Sequence, residues 1–395
     1  MRIMNKFQII APGKVILHGE HAVVYKKPAL AAAVGLSTKL LFYPQPESDV
    51  AIFNLETLNC TFEIQLKQFN DFIKDIREKY PENKLDCTAK LLEDVRAVIA
   101  KQFDGSTNNS PKYQQSQKTF LAIYYLLAGA VLSAPSELTL KSGFKIHIDT
   151  ELNIGSGLGS SASFGATLAA AFLLITGHFD EKSYLKLENR ALISQWAFES
   201  ERIMHGTPSG VDNTVVTYGG MLRFVKGQGF QSLNIQRPLN IMLVDSRVNR
   251  STADIVAKVR HLWETFPKVI DSIWDACEEI VADAIPLYES FGNAKDDSVK
   301  FEKLERLFQI NNDLLKAIGV THPKLEQIFA IAFKRGFFSK ITGAGAGGFA
   351  VVLLPENYES NEVYWKLKEE LESAGFGVQS TTAGGEGLRI NDLDD

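Results

Sequence analysis

A glycine-rich segment in the middle of the chain has the residue types of a phosphate-binding loop. Its residues are Gly155, Ser156, Gly157, Leu158, Gly159, Ser160 and Ser161. Glycines allow backbone N–H groups to turn towards an anion and to approach it closely. The helix predicted to follow adds unpaired N–H groups and a partial positive charge, and the serine hydroxyls can reach phosphate oxygens or a metal. The segment therefore predicts a phosphate site.

Three other interpretations of this segment are a simple connection, a P-loop and a dinucleotide-binding motif. An ordinary Gly-Ser connection with an N-cap serine would have the same composition. A P-loop is excluded, because no Gly-Lys-Ser or Gly-Lys-Thr follows at the required spacing. The glycines also do not fit the Gly-x-Gly-x-x-Gly pattern of dinucleotide-binding domains. A phosphate-binding loop of another type is therefore favoured over a simple connection.

A second candidate site combines acidic residues with a helix end. The predicted helix carries Glu199 and Glu201, breaks at a Gly/Pro turn and is followed by Asp212. A carboxylate on the partly apolar face of this helix would need a metal or a cation. A solvated helix face with an Asx turn at Asp212 would have the same pattern. Helical geometry does not choose between Glu201 and Glu199.

Two further segments contain groups that could bind a substrate. Lys14 follows Pro12 and Gly13 and could neutralise phosphate or lower the pKa of a hydroxyl, although most such lysines lie on the surface. His21 could bind a carboxylate or hydroxyl, or have a structural role. The Gly-rich segment 340–348 brings its backbone close either to a ligand or to a facing domain. Its spacing does not discriminate between the two.

Composition is typical of a soluble globular protein. Of 395 residues, 45% are hydrophobic and 23% are charged, and the length predicts two domains. The 42 basic and 47 acidic residues give a formal net charge of −5, without a Lys/Arg block that would indicate a nucleic-acid or membrane surface. The 3 scattered cysteines favour a reducing compartment over a disulfide framework or a structural zinc.

The ends of the sequence suggest where the protein resides. No secretory signal is visible at the amino terminus, and the carboxy terminus lacks a peroxisomal Ser-Lys-Leu ending. Two apolar stretches, 120–132 and 164–175, are shorter than the roughly 20 residues that cross a bilayer, so we expect them to form buried core helices. These features predict a cytoplasmic protein, with peroxisomal residence left open.

Strands and helices must position these groups, and they interleave without a regular repeat, which predicts an α+β fold. The predicted strands include Phe7–Ile10, ending at the Pro12-Gly13 turn, Phe144–Ile148 and Phe349–Leu354. The predicted helices include Ala162–Ile175, Glu188–His205, Ala253–Ala284 and Ser298–Leu315.

Taken together, the segments resemble the three signature motifs of the GHMP kinases (galacto-, homoserine, mevalonate and phosphomevalonate kinases). Residues 12–21 resemble the first motif, 157–162 the second, which wraps the triphosphate, and 342–348 the third. Their order and separation match, and the resemblance covers nearly the whole chain. Residues 14–24 and 201–213 resemble most closely the branch that phosphorylates mevalonate. One departure is Ala346, which stands where glycine is common.

The resemblance implies a two-domain GHMP kinase fold. Residues 1–230 would form an N-terminal, ribosomal protein S5 domain 2-like ATP-binding domain with a left-handed crossover. Residues 231–395 would form a C-terminal ferredoxin-like domain, with the last strand a candidate to return to the first domain. The substrates would be ATP and mevalonate, with Mg²⁺ as the metal. A homodimer and feedback inhibition by prenyl diphosphates that compete with ATP are also implied.

The resemblance also implies roles for individual residues. Asp212 would accept the proton of the substrate hydroxyl, and Lys14 would assist. Ser161 and Glu201 would bind Mg²⁺. Lys14 and Thr150 would join the segment 155–161 in binding ATP. The substrate-binding residues would be Glu20, His21, Thr252 and Ala344.

Two alternatives to this function remain open. One is another member of the family, acting on phosphomevalonate or a sugar. The other is a catalytically idle relative that binds ATP and a metabolite as a sensor. The presence of Lys14, Ser161, Glu201 and Asp212 disfavours the sensor, because a degenerate relative would be expected to have lost at least one of them.

Overall fold

The computed structural model describes residues 5–80, 88–102, 110–155, 157–206, 208–292 and 297–393. The strands are β1 Phe7–His18, β2 Ala29–Gln45, β3 Val50–Leu55, β4 Cys60–Gln65, β5 Gly143–Thr150, β6 Met221–Val225, β7 Gly229–Ser232, β8 Leu239–Asp245, β9 Ser339–Ile341, β10 Phe349–Leu353, β11 Gly377–Ala383 and β12 Arg389–Asp392. The helices are α1 Leu66–Lys79, α2 Thr88–Gln102, α3 Pro111–Leu132, α4 Ser160–Ile175, α5 Leu187–His205, α6 Val211–Tyr218, α7 Thr252–Thr265, α8 Pro267–Ser290, α9 Asp297–Ala317, α10 Pro323–Lys334 and α11 Glu362–Ser373. Short 3₁₀ helices span Ala22–Tyr25, Ser183–Leu185 and Tyr358–Ser360.

The long strand β2 connects the two halves of the molecule. The main path of the sheet runs β4-β3-β5-β2-β11-β8-β10-β9, and β1 and β6 also pair with β2. β3 and β5 are parallel, whereas the other described ladders are antiparallel. The last strand, β12, lies beside β1 with Phe7 opposite Asp392. The mixed helices and strands confirm the α+β class, while a domain boundary at 230/231 stays a prediction.

Strand β1 does not end at Pro12-Gly13 as predicted, but continues to His18. Its pairing with β2 shifts register between Pro12 and Lys14. Proline has no N–H to donate to the ladder, and the N–H of Lys14 bonds instead to the carbonyl of Leu158 at 2.8 Å. The irregularity therefore brings the predicted phosphate loop against β1, and it places Lys14 on a buried strand instead of an exposed turn.

The two apolar stretches lie in helices α3 and α4, which confirms that they are core helices. From Ala162 to Ile175 all but one residue of α4 are buried. The helix packs on β1 and α5. Among the described residues, no helix is long and apolar enough to cross a membrane.

The helices of the C-terminal half differ from the prediction at one point. The single helix predicted over Ala253–Ala284 is divided into α7 and α8 at Phe266, whose φ is −130° and ψ 58°. Pro267 is the reason, because proline disfavours helical angles in the residue before it and is tolerated only in the first turn of a helix.

A close backbone contact fastens the C-terminal segment to the turn after α6. Gly219 forms an isolated bridge with Glu386, and a Cβ at Gly219 would lie 2.0 Å from the nitrogen of Gly387. The neighbouring Gly220 also has a positive φ, of 67°, but a Cβ there would meet nothing within 4 Å. These adjacent glycines differ mainly in whether a side chain would collide with backbone.

We therefore expect Gly219→Ala to lower the free energy of unfolding by about 3 kcal/mol, against about 1 kcal/mol for Gly220→Ala. Both variants carry the cost of a positive φ, and only Gly219→Ala must also displace the backbone of the C-terminal segment. Urea unfolding of the two variants measures the difference. Equal losses would show that the C-terminal segment is not held by this contact.

Candidate active site

The predicted catalytic residues meet where β1 approaches the start of α4, the end of α5 and the start of α6. β1 contributes Lys14, α5 contributes Glu201 and α6 contributes Asp212. The Nζ of Lys14 lies 3.2 Å from Oδ1 of Asp212. The side chain of Lys14 is only 5% exposed, whereas that of Asp212 is 28% exposed. The carboxylate is therefore the member of the pair that a ligand from solvent can reach.

Asp212 lies at a helix N-terminus as well as beside Lys14. It occupies the first turn of α6, two residues after Gly210 at the N-cap. Unpaired N–H groups at a helix N-terminus attract anions, and a cation at 3.2 Å attracts them by Coulomb's law. The arrangement provides a proton acceptor beside a cation that could stabilise a developing alkoxide.

Glu201 differs sharply from Glu199, the alternative that the sequence left open. Glu201 is 4% exposed, and its Oε1 has no hydrogen-bond partner among the described residues. Burial, together with the smaller effect of the negative charge of Asp212, raises the pKa of Glu201 to about 7. Glu199 instead accepts two hydrogen bonds from Arg202, at 3.1 and 3.0 Å. Glu201 is thus the carboxylate that needs a cation.

The phosphate loop leads into α4 with its backbone N–H groups uncapped. The helix begins at Ser160, and the N-cap is Gly159, with φ 77° and no side-chain capping bond. The N-cap serine of the simpler interpretation is therefore not what the structure contains. A Cβ at Gly159 would lie 2.9 Å from Cγ of Lys14, so glycine also permits the close approach of β1. Ser156 lies outside the described residues.

Thr150 ends strand β5, shortly before this loop. Its hydroxyl contacts the hydroxyl of Thr38 at 2.9 Å and accepts a hydrogen bond from the N–H of Leu152 at 3.1 Å. These bonds shape the turn that leaves the strand. A direct contact between Thr150 and the nucleotide stays a prediction.

The first and third motifs are in contact through His21 and Ala344. Nε2 of His21 lies 2.9 Å from the carbonyl oxygen of Ala344, and both residues are buried. In the same loop Ala346 adopts a φ of 54°, which glycine adopts more easily. Its N–H donates to the carbonyl of Val320 at 2.7 Å. Alanine is therefore compatible with the conformation of this loop, and a backbone hydrogen bond to Val320 holds it in place.

Glu20 lies in the interior of the protein, and its predicted contact with the substrate stays a prediction. Its side chain is 0% exposed and forms an ion pair with Lys340, which is also 0% exposed. Burial raises the pKa of Glu20, and the charge of Lys340 opposes that effect. Glu20 lies two residues beyond the end of β1 and meets Lys340, which is on strand β9, in the interior. Its carboxylate thus binds a lysine of the other half of the chain.

Arg250 is a residue of this site that the sequence did not single out. Its Nη2 lies so close to the phosphate loop that a Cβ at Gly157 would approach it to 2.4 Å, and it also lies near Gly343 of the third motif. Its Nη1 is 3.4 Å from the hydroxyl of Thr252, at the start of α7. The only sequence signal was the proximity of Arg250 to Thr252 along the chain.

His205 is the second residue that the sequence did not identify. It lies one turn beyond Glu201 on α5, and its Nε2 is 2.8 Å from the hydroxyl of Ser161. The spacing of four residues from Glu201 was the available signal, because such residues share a helix face. The histidine connects the end of α5 to the start of α4.

The donor set fits Mg²⁺. Within the described ranges no group of three or more His, Cys, Asp or Glu side chains is placed to hold a metal. Mg²⁺ does not require such a group, because it commonly takes one or two protein carboxylates and completes its shell with phosphate oxygens and waters. The buried, unpartnered Oε1 of Glu201 is suited to this purpose, and Ser161 lies near enough to lower the pKa of Glu201.

We expect Glu201→Gln to raise the Mg²⁺ concentration required for half-maximal activity by about tenfold or more.

Glu201→Gln should also raise the melting temperature at pH 8 without Mg²⁺ or nucleotide. Because the pKa of Glu201 in the folded protein is raised to about 7, the unfolded chain loses this proton first as pH rises. Glu201 therefore destabilises the fold increasingly up to about pH 7, and the difference in melting temperature should shrink towards pH 5.

Glu199→Gln is the matched control, two residues away on the same helix and paired with Arg202. It should leave both the Mg²⁺ titration and the pH dependence of the melting temperature nearly unchanged. An unaltered Mg²⁺ requirement in Glu201→Gln would exclude Glu201 as a metal ligand.

The comparisons with known proteins agree with this geometry. The sequence model described as "GHMP kinases N terminal domain" matches residues 123–220, and "GHMP kinases C terminal" matches residues 293–373. The chain is 33% identical over 398 residues to "Mevalonate kinase" of Arabidopsis thaliana, covering 96% of this chain and 98% of that protein. It is 35% identical over 400 residues to "Mevalonate kinase" of Mus musculus, covering 96% and 94%.

Solved structures show the same fold. The crystal structure of the Methanococcus jannaschii mevalonate kinase aligns with a TM-score of 0.70 at 23% identity, covering 98% of this chain and all of that one. At this identity the likeness establishes the fold alone, whereas the sequence relatives establish the family. The chain therefore belongs to the mevalonate kinases of the GHMP kinase family.

Proposed function

We propose that this chain transfers the γ-phosphoryl group of ATP to the 5-hydroxyl of mevalonate, giving 5-phosphomevalonate and ADP. The observation that carries the proposal is the pairing of Lys14 with Asp212 at 3.2 Å, beside the uncapped N-terminus of α4. A proton acceptor, a cation and a phosphate-binding loop are the parts that phosphoryl transfer to an alcohol needs. The names of the full-length relatives supply the substrate.

The Lys14–Asp212 pair would activate the alcohol. Asp212 accepts the proton of the hydroxyl while that oxygen bonds to the γ-phosphorus, and the bond from phosphorus to the bridging oxygen of ADP breaks. The ammonium of Lys14 stabilises the negative charge on the attacking oxygen. Since an aspartate is a weak base, much of its effect would be orientation of the hydroxyl.

The phosphate groups would be held by the start of α4 and its surroundings. Backbone N–H groups of the loop and first turn bind the phosphate oxygens, and the guanidinium of Arg250 lies against the same loop. Mg²⁺ bound by Glu201 and Ser161 would neutralise charge on the phosphates. His21 and Ala344, which are in contact, would border the opposite, substrate-binding side, with Thr252 nearby.

The proposal includes an oligomeric state. We expect a homodimer, which size-exclusion chromatography with light scattering would detect.

The proposal also includes inhibition by prenyl diphosphates, whose diphosphate group would occupy the loop that binds the ATP phosphates. Such inhibition should be competitive with ATP, so a maximal rate that falls at saturating ATP would count against a shared site.

The substrate is tested by ADP release from Mg²⁺-ATP in the presence of mevalonate, phosphomevalonate, galactose or homoserine. Release with mevalonate alone is the expected result. Release with a different alcohol would retain the fold and the mechanism and change the substrate. If none of the four alcohols causes ADP release and ATP binding is still measurable, a sensor that binds ATP and a metabolite would be favoured.

A further inference from the structure

A seam of buried polar contacts joins the end of β1 to strand β9 and the Gly-rich loop that follows it. Thr342 Oγ1 accepts a hydrogen bond from the N–H of Ile16 at 3.0 Å and donates to its carbonyl at 3.1 Å. His21 contacts Ala344, as described above. Glu20 and Lys340 form the charged contact of the seam. Three buried contacts therefore join these two segments across more than 300 residues of sequence.

The charged contact is costly for a purely structural role. Both side chains are 0% exposed, and burial raises the pKa of Glu20 and lowers that of Lys340, so each charge depends on the other. Nζ of Lys340 also donates to the carbonyl of Ile341 at 2.6 Å. Apolar residues of similar volume often match or exceed the stability of such a pair. What an ion pair adds is one defined geometry.

The surroundings of the pair point in the same direction. His18, Glu20 and Asn311 are fully buried, and Oε2 of Glu20 has no hydrogen-bond partner in the described part of the chain. His18 uses a ring nitrogen to contact the hydroxyl of Tyr288 at 2.9 Å. Unpartnered buried polar atoms lower stability. A region that accepts this cost is better explained by positioning than by stabilisation.

We propose that Lys340 is a positioning residue for the transfer reaction. By binding Glu20, it fixes the register between β1 and the third Gly-rich loop, so that His21 meets Ala344 at the substrate end while Lys14, on the same strand, faces Asp212. The expected effect on the KM for mevalonate rests on the proposed function. The expected effect on the structure of the loop 342–348 does not.

The test compares a broken pair with a replaced pair. Lys340→Met leaves a buried carboxylate without its cation and should lower the melting temperature. Glu20→Met with Lys340→Met removes both charges and should restore it. Lys334→Met is the control, because Lys334 pairs with Glu370 on the exposed surface of α10 at 3.0 Å.

We expect the double variant to regain the melting temperature and still to have a KM for mevalonate raised by about tenfold or more, with the Kd for ATP within about twofold of the parent. Recovery of both melting temperature and KM would overturn the proposal, since the pair would then be only structural. If the double variant does not fold, Lys340→Arg keeps the charge with a different shape and should raise KM in the same way; an unchanged KM would overturn the proposal.

Hydrogen exchange separates this inference from the substrate assignment. In the double variant the amides of residues 342–348 should exchange about tenfold faster than in the parent, while those of β8 remain unchanged. This result would support the positioning role even if the parent did not phosphorylate mevalonate. Unchanged exchange in the loop would overturn the role whatever the substrate proved to be.

Discussion

Replacing Asp212 by Ala is expected to lower kcat by about 10³-fold or more while the Kd for ATP changes little. The carboxylate is 28% exposed beside Lys14 and is the only member of that pair open to the site. Without it, the substrate hydroxyl loses both its proton acceptor and a group that orients it. Steady-state kinetics and a nucleotide titration measure the two effects separately.

A second consequence concerns Glu201. The negative charge of Asp212 raises the pKa of Glu201, so Asp212→Ala should lower that pKa and allow Mg²⁺-nucleotide to bind at lower pH. Glu362→Ala, which removes an acidic residue from the first turn of α11, is the control and should leave kcat unchanged. Substantial residual turnover in Asp212→Ala would remove Asp212 from the role of base.

Replacing Lys14 by Met is expected to lower kcat by about 10² to 10³-fold and to raise the KM for ATP as well. Lys14 is 5% exposed and is the cation nearest to Asp212 in the described site. Its loss removes the ammonium group that opposes the negative charges of Asp212 and Glu201. Initial rates over a matrix of ATP and mevalonate concentrations measure both parameters.

Lys14→Met and Asp212→Ala should shift the pKa of Glu201 in opposite directions. Lys14 lowers the pKa of Glu201, so Lys14→Met should raise that pKa and move the onset of Mg²⁺-nucleotide binding to higher pH. Lys145→Met, on strand β5, is the control. Shifts of the same sign in the Lys14 and Asp212 variants would show that neither residue acts on Glu201 through its charge.

The sequence identified local elements well where periodicity and turn residues were strong. The helices around 162–175 and 188–205 are present within one or two residues at each end. It failed where one residue changed the geometry. Pro12 was interpreted as the end of β1 although the strand continues past it, and Pro267 divides what looked like one helix.

The site was predictable to the extent that its groups lie in recognisable motifs. Helical periodicity could not choose between Glu201 and Glu199 as the metal ligand, because both lie on the same helix. Packing against α4 and α6 decides the choice, since it buries Glu201. Arg250 and the partner of Glu20, Lys340, could not be found in the same way. Each approaches the site from a distant part of the chain, and such contacts are defined only by the tertiary fold.

The most direct test of the central claim is to identify the product formed from Mg²⁺-ATP and mevalonate by phosphorus NMR and mass spectrometry. We predict one phosphomonoester on the 5-hydroxyl and one ADP for each mevalonate consumed, formed by the parent and not by Asp212→Ala. Release of ADP with inorganic phosphate, or a phosphate on another oxygen of mevalonate, would contradict the claim.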